Sequence, residues 1–308
     1  CQVQRGPRRM DEATARRGAD LLLSSRAGRL LLNFFGGEPL LAWDLVRKTA
    51  LYARARRGGR PLRINLTTNG LLLDQEKIDF LKTVDGYVHL SLDGTAQANA
   101  SRLLATGPGA QPAMEGALRR LEGSGLPYHV NAVVDPARAA VFDADLLSLE
   151  SLGARRIQFG YRVGSLWSPQ ALGELLAALD RYAVRGRAEL INRTSDSEPV
   201  MLSREVIVDT DGDIYWDGGL FLEAALPRVR DALRLGRLDA APDVDARVFR
   251  REILPRLTPH ANHVTMYASS DDDALRASRV VNGAGRLGLG GDSLVVIDGM
   301  DTIDATRV

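Results

Sequence analysis

The sequence predicts an α/β protein built on a parallel sheet covered by helices. Three observations carry that prediction. Short apolar runs alternate with longer amphipathic stretches five times in succession, and the connections between them are short. The residues that interrupt the pattern, paired glycines with Glu, Asn and Asp, fall at the C-terminal ends of the apolar runs. Right-handed crossovers between parallel strands give either a barrel or an open doubly wound sheet, and in both the functional loops gather at the carboxyl ends of the strands.

The elements follow in order. Residues 11–25 read as a helix, with Asp11 and Glu12 suited to its N-terminal end. Leu30 to Phe35 is an apolar run of strand length. Residues 40–57 are helical, Leu62 to Leu66 is a strand, and residues 74–82 form a helix opening at Asp74 as N-cap. Tyr87 to Leu92 is the next strand, followed by a helix over 112–123 and a strand from His129 to Val134. A helix over 143–152, a strand from Arg156 to Phe159 and a helix over 169–185 complete the repeat. The strands read as continuous apolar runs, the pattern of a sheet buried on both faces.

After Gly186 the pattern changes. Residues 187–200 read as linker. Glu205 to Asp209 and Asp213 to Trp216 flank Thr210-Asp211-Gly212, a hairpin signal, and a helix is expected near 222–234. From about residue 239 the character changes again. The expected division is 1–186, 187–238 and 239–308.

Composition narrows the function classes. With 45% hydrophobic and 26% charged residues, the chain suits a globular protein with a sizeable core. A net charge of +1 gives no broad attraction to nucleic acid, and no apolar run reaches the roughly 18 residues of a membrane span, so neither partner is expected. The basic residues are almost all Arg, with Lys48, Lys77 and Lys82 the only lysines. The single cysteine, Cys1, excludes an internal disulfide framework and fits a cytoplasmic location. The chain starts at Cys rather than Met and stops at Val308 after a strand-like stretch, so both ends read as cuts through a longer gene.

The chemistry gathers at three strand ends. In Phe34-Phe35-Gly36-Gly37-Glu38-Pro39, two glycines let a ligand approach the backbone, and Glu38 adds a carboxylate beside exposed carbonyls. That combination suits an ammonium group; a β-α turn closed by a helix-capping Glu before Pro39 explains it equally well. Thr67-Thr68-Asn69-Gly70 supplies hydroxyls and an amide, and Ser91-Leu92-Asp93-Gly94 a hydroxyl and a carboxylate. Asn69 and Asp93 also suit a purely turn-forming role. Arg102 lies in reach of a carboxylate with a bidentate fork. An ammonium site, hydroxyl partners and a carboxylate clamp on one rim describe a zwitterionic nucleoside ligand.

The stretches NFFGGEPLL, INLTTNGLLL and VHLSLDG…SR, in this order, resemble the radical S-adenosylmethionine (radical SAM) superfamily, particularly its anaerobic sulfatase-maturase and peptide-maturase branch. The resemblance covers about residues 1–235. It implies a partial (β/α)6 TIM-like barrel, with the five strands read here as the second to sixth and the first missing upstream. It implies two cofactors, a 4Fe-4S cluster on three thiolates and S-adenosyl-L-methionine, with Cys1 standing as the third cluster cysteine. Gly36, Gly37 and Glu38 would hold the methionine ammonium, with Thr68 and Asn69 on the same rim. Ser91 would contact the ribose and Arg102 the carboxylate, though the Ser91–Arg102 interval is about one residue shorter than in the family. Phe159 stands where it would flank adenine, or serve as plain core. The implied partners are a peptide or protein substrate and an external electron donor such as flavodoxin or ferredoxin.

The chain also departs from that pattern. One cysteine cannot hold the cluster, so the chain as it stands is expected to be inactive, and truncation is the favoured reading. The hairpin region, REVIVDTDGDIYWDGGLFLE, carries no cysteine where many relatives hold an auxiliary cluster. The tail, with APDVDARVFRREILPRL, VTMYASSDDDALRAS and LVVIDGMDTID, resembles a small α/β fragment of an esterase-like α/β-hydrolase family. No G-x-S-x-G elbow precedes it and no His follows His263, so hydrolysis is not expected. The G-x-G-x-x-G match at Gly283–Gly288 follows a predicted helix, and His260 and His263 lack an acidic partner, so neither reads as a site. The function expected is a radical SAM enzyme acting on a peptide. The alternatives are a non-catalytic SAM-like or peptide-binding module and a tail-borne esterase.

Overall fold

A computed structural model describes residues 9–25, 27–100, 102, 110–162, 165–193, 205–216, 234–238, 263–267, 296–297 and 300–301. The described residues divide into two compact units, one from Leu31 to Arg193 and the other made of those up to Leu30 and those from Glu205 onward.

The first unit is a helix-covered sheet. Strands β1 (Leu30–Phe35), β2 (Leu62–Thr68), β3 (Gly86–Ser91), β4 (Tyr128–Val134), β5 (Arg156–Tyr161) and β6 (Glu189–Leu190) lie side by side in chain order. From β2 to β6 every neighbouring pair is parallel, with registers such as Ile64↔Gly86, Val88↔Tyr128, Val130↔Ile157 and Arg156↔Glu189. The crossovers are the helices α2 (Trp43–Arg56), α3 (Gln75–Thr83), α4 (Ala110–Ser124), α5 (Phe142–Ser151) and α6 (Pro169–Arg185). This is the parallel α/β architecture the alternating pattern predicts. The sixth strand was not foreseen: Glu189 and Leu190 fall in the stretch expected to be linker. They are held because Glu189 N–H donates to Arg155 O at 2.8 Å and β6 pairs with β5.

Side-chain patterning differs from expectation. The strands are not apolar throughout. In β1 and β3 buried positions alternate with half-buried ones, and β2 alternates at both ends, with Asn65 buried at its centre. One face carries Leu30, Leu32, Phe34, Leu62, Ile64, Leu66, Val88, Leu90, Val130, Ala132 and Ile157, all buried. It packs with the apolar stripes of the helices, including Val46, Ala50, Ile78, Leu81, Leu118, Leu121, Leu146 and Leu149. Burial of each such Leu, Ile or Val stabilises the unit by roughly 1.5–3 kcal/mol relative to exposure. The other face carries Asn65, Thr67, Tyr87, His89, Ser91, His129, Asn131 and Gln158 at the intervening positions. A sheet with helices and apolar side chains on one face and polar side chains on the other has the period-2 pattern.

Helix ends are fixed by short polar side chains. Asp74 Oδ1 accepts from Lys77 N at 3.0 Å, as predicted for the α3 cap. Ser168 Oγ accepts from Ala171 N at 3.1 Å ahead of Pro169 at the start of α6. Two 3-10 turns, Pro39–Ala42 and Pro136–Val141, lead into α2 and α5 and are capped by Glu38 and Asp135.

The second unit contains helix α1 (Glu12–Ser24), whose N-cap Asp11 accepts from Thr14 N at 2.6 Å, and the strands β7 (Glu205–Val208), β8 (Asp213–Trp216), β9 (Arg234–Arg237) and β10 (His263–Tyr267). The predicted hairpin is present. β7 and β8 are antiparallel with Val206 opposite Trp216, and the turn closes through Gly212 N–H to Asp209 O at 2.9 Å. Gly212 sits at φ +82°, a conformation that glycine adopts without steric cost. β8 continues antiparallel to β9 with a bulge at Ile214/Tyr215, and β10 runs parallel to β7. Short strands β11 (Val296–Ile297) and β12 (Met300–Asp301) form an antiparallel pair. The helix expected near 222–234 falls largely outside the described residues, and β9 begins at Arg234. Among the described residues no helix is long and apolar enough to cross a membrane.

Candidate functional site

The three motifs meet at the carboxyl ends of β1, β2 and β3, and the tie between the first two is Glu38. Its Oε1 accepts from Leu40 N at 3.1 Å, capping the turn after Pro39, and from Thr68 Oγ1 at 2.8 Å. Its Oε2 accepts from Asn69 N at 2.9 Å. The carboxylate therefore both caps the turn and locks the β1 loop to the β2 loop. Burial raises the Glu38 carboxyl above its ordinary value, and the hydrogen bonds from Asn69, Thr68 and Leu40 offset part of that rise.

Thr68 and Asn69 turn inward to serve the loop. Thr68 Oγ1 also accepts from Gly70 N at 3.0 Å, and Asn69 Oδ1 accepts from Leu71 N at 2.9 Å. Gly70 has to be glycine. Its φ is +81°, and a Cβ there would lie 2.7 Å from Leu90 Cδ1 and 2.8 Å from Ala117 Cβ. Gly36, at φ +132°, and Gly37 open the β1 loop. A Cβ at Gly37 would meet nothing within 4 Å, so the backbone there faces open space.

At the end of β3 the chain is strapped to β4. Asp93 is buried, and its Oδ1 accepts from Val133 N at 2.8 Å while Leu92 N donates to Asn131 O at 3.1 Å. Arg102 places its fork on the same carboxylate, Nε on Oδ2 at 2.6 Å and Nη2 on Oδ1 at 2.7 Å. Asn99 ties the loop from inside: its Oδ1 accepts from Asp93 N at 2.8 Å and its Nδ2 donates to Gly94 O at 2.9 Å. Gly94 lets the loop press on α5, where a Cβ would fall 2.6 Å from Asp145 O. Asp145, 1% exposed, accepts from Thr95 Oγ1 at 2.5 Å and from the Arg138 fork at 2.7 and 2.9 Å.

The expected site residues divide accordingly. Gly36, Gly37, Glu38, Thr68, Asn69, Ser91 and Asp93 lie at or just after consecutive strand ends, and Arg102 reaches Asp93 from the segment that follows β3. Glu38, Thr68 and Asn69 bond to one another, as do Asp93 and Arg102. Ser91 ends β3 on the polar face. Phe159 lies on the helix-covered face, paired in register with buried Ala132 and with its ring centre 5.5 Å from that of Phe142. Cys1 lies outside the described residues.

Sequence reasoning missed the polar face itself. His89 and His129 face each other across β3 and β4 with ring centres 4.3 Å apart, and Tyr87 adjoins both. Burial, then the neighbouring His129, pushes His89 down to about 3, and burial lowers His129 as well, so both rings are neutral at pH 7. The signal was present in the alternation of VHLS and HVNA, where a polar side chain recurs every second residue.

A parallel strand-and-helix unit with glycine-opened, hydroxyl- and carboxylate-bearing strand ends belongs to the α/β class in which ligand sites lie at the carboxyl ends of strands. Comparison with known proteins makes the class specific. Residues 1–136 match the family model for the radical SAM superfamily. The chain is 29% identical over 188 residues to the PqqA peptide cyclase of Gluconobacter oxydans, covering 61% of this chain and 50% of that protein. It is 31% identical over 139 residues to the PqqA peptide cyclase of Methylocella silvestris, covering 45% and 36%. It therefore spans half or less of the length of these two curated relatives. An uncharacterised protein of Methanocaldococcus jannaschii is 24% identical over 215 residues, covering 67% and 74%. In fold it is similar to the native anSMEcpe with bound AdoMet, at TM-score 0.63 and 18% identity over 82% of this chain and 72% of that one. It is also similar to Streptococcus suis SuiB, at TM-score 0.50 and 14% identity over 80% and 60%. The N-terminal part of the chain is thus similar to the radical SAM superfamily, and its curated relatives include two PqqA peptide cyclases. Residues 233–296 also match, weakly, a family described as alpha/beta hydrolase of unknown function.

Proposed function

We propose that the strand-end rim binds S-adenosylmethionine and that the protein is a radical SAM enzyme acting on a peptide or protein. The observation that carries this reading is the clustering of the three motif loops on consecutive strand ends, the first two joined by Glu38 and the backbone open at Gly37. In this reading the carbonyls of Gly36 and Gly37 take the methionine ammonium, and the Glu38 charge favours it. Ser91 takes a ribose hydroxyl, and the ligand carboxylate shares Arg102 with Asp93. Thr68 and Asn69 shape the loop, and Phe159 remains core. The peptide substrate follows from the relatives, named for a peptide cyclase and, among the solved structures, for a complex with a peptide. An electron donor such as flavodoxin or ferredoxin and a cytoplasmic setting go with the same reading.

The residues fit the nucleoside better than the cluster. A 4Fe-4S cluster supplies the electron that cleaves SAM, and it needs three thiolates where this sequence has one, Cys1. Among the described residues no group of three or more His, Cys, Asp or Glu is placed to hold a metal. We therefore assign SAM and peptide binding to this chain and derive no radical step from its own residues.

Isothermal titration calorimetry of the chain with SAM tests the reading. Saturable binding that Glu38→Ala weakens at least tenfold supports it, provided circular dichroism shows Glu38→Ala folded. An absence of saturable heat up to millimolar SAM refutes it.

A further inference from the structure

The polar face contains a hydrogen-bonded row that ends beside Ser91. Arg156 Nη1 donates to Tyr87 Oη at 3.2 Å. Tyr87 Oη lies 3.1 Å from His129 Nδ1, and His129 Nε2 lies 3.0 Å from Asn131 Oδ1. The direction of the row follows from donor and acceptor chemistry. Arginine can only donate, so the phenol oxygen accepts from it and the phenol proton is free to point at His129 Nδ1. The amide oxygen of Asn131 can only accept, so Nε2 carries the imidazole proton. Gln158, the register partner of Asn131 on β5, also hydrogen-bonds the same imidazole. The Asn131 end fixes a proton on Nε2, and with burial keeping the imidazole neutral, Nδ1 is left to accept the phenol proton of Tyr87.

The consequence falls on Asn131. Its amide oxygen is committed to the imidazole, which turns its amide nitrogen away from His129. Asn131 is the register partner of Ser91, on the same polar face, and its own carbonyl receives the Leu92 N–H at the rim. Close by in the sheet, Asn65 pairs with Tyr87 in register, and its buried Oδ1 has no hydrogen-bond partner. An unpaired buried carbonyl oxygen is costly unless a ligand or water satisfies it, so this face is built to receive hydrogen-bonding groups.

We propose that Asn131 is a ligand-contacting residue that binds the ribose hydroxyls of the nucleoside together with Ser91, and that His129 is its positioning residue, set by Tyr87 and Arg156. The proposal rests on the reading of the rim as a nucleoside site. The recognised class is a vicinal diol: a serine hydroxyl and an amide N–H on neighbouring strands offer one partner to each of two adjacent hydroxyls. His129 does not touch the ligand. It selects which end of the Asn131 amide the ligand meets.

Two measurements test it. Long-range nitrogen–proton correlation spectra of the ligand-free chain, with His129→Phe for assignment, read the tautomer directly. The proposal expects a neutral ring protonated on Nε2, and an Nδ1–H tautomer or an imidazolium at pH 7 overturns the positioning role. The second measurement compares binding of SAM, 5′-deoxyadenosine and 2′,3′,5′-trideoxyadenosine to the wild type and to Asn131→Ala. Wild type should prefer 5′-deoxyadenosine to the nucleoside lacking the diol, and Asn131→Ala should bind SAM about three- to tenfold more weakly and lose most of that preference, the loss expected for one hydrogen bond. An unchanged preference in Asn131→Ala overturns the contact while leaving SAM binding to the rim intact. No SAM binding by the wild type instead removes the rim reading and this inference with it.

Discussion

Replacement of Asp93 by alanine should destabilise the first unit by about 3–5 kcal/mol, the cost of removing one partner from a buried ion pair. Asp93 is 4% exposed and Arg102 16% exposed at the side chain, so solvent screening is small. The carboxylate receives three donors: Arg102 Nε at 2.6 Å, Arg102 Nη2 at 2.7 Å and Val133 N at 2.8 Å. Alanine leaves the guanidinium without this counter-charge and the Val133 N–H without its acceptor, the latter alone worth roughly 1–3 kcal/mol. Arg102→Ala should cost less, because Asp93 keeps the Val133 bond and can take up a proton. Equilibrium urea unfolding of Asp93→Ala, Arg102→Ala and the double variant should show a coupling of at least about 1 kcal/mol. Thermal melting of Asp93→Ala should fall by about 6–20 °C, at roughly 2–4 °C per kcal/mol. A loss below about 1 kcal/mol for Asp93→Ala, or additive single variants, would refute the view that this pair straps the β3 loop to β4.

Other perturbations should read out the remaining contacts. Gly70→Ala should destabilise by at least about 2 kcal/mol, since its Cβ would overlap Leu90 and Ala117 at positive φ; a melting point within 2 °C of wild type, on the scale of roughly 2–4 °C per kcal/mol, would show the loop relaxes freely. Asp145→Ala should cost about 3–5 kcal/mol by leaving the Arg138 fork unpaired, measured by urea unfolding. Glu38 gives a pH signature. Its folded value lies above the ordinary 4.5, so the folded state holds this proton more tightly than the unfolded state. The associated stabilisation is complete below about 4.5 and lost as pH rises through the folded value. The stability difference between Glu38→Gln and wild type should therefore shift in favour of the variant on going from pH 4 to pH 7. A difference independent of pH would show that Glu38 titrates normally.

Much of the fold was legible because its signals are local. The cap at Asp74, Pro169 at the start of α6 and Thr210-Asp211-Gly212 each declare an element boundary within a few residues. The placement of Gly36 to Glu38, Thr68, Asn69, Ser91 and Asp93 at or just after strand ends was legible for the same reason. What stayed hidden needed three-dimensional proximity. Nothing in the spacing says that the Arg102 fork falls on Asp93, nine residues earlier, or that the Glu38 carboxylate reaches Thr68, thirty residues later. Strand β6 was lost because two residues carry no periodicity. The polar face was overlooked because Leu, Val and Ala between the polar residues made each strand look apolar, although a two-residue alternation separates its faces.

The lock at Glu38 has a consequence for how this protein can vary. One carboxylate serves as the common hinge pin for two loops, so a change at position 38 strands the hydroxyl of residue 68 and the amide of residue 69 together. Across a set of homologous sequences, substitutions at 38 and 68 should arrive in pairs, and a lineage that loses the acid should also abandon the threonine.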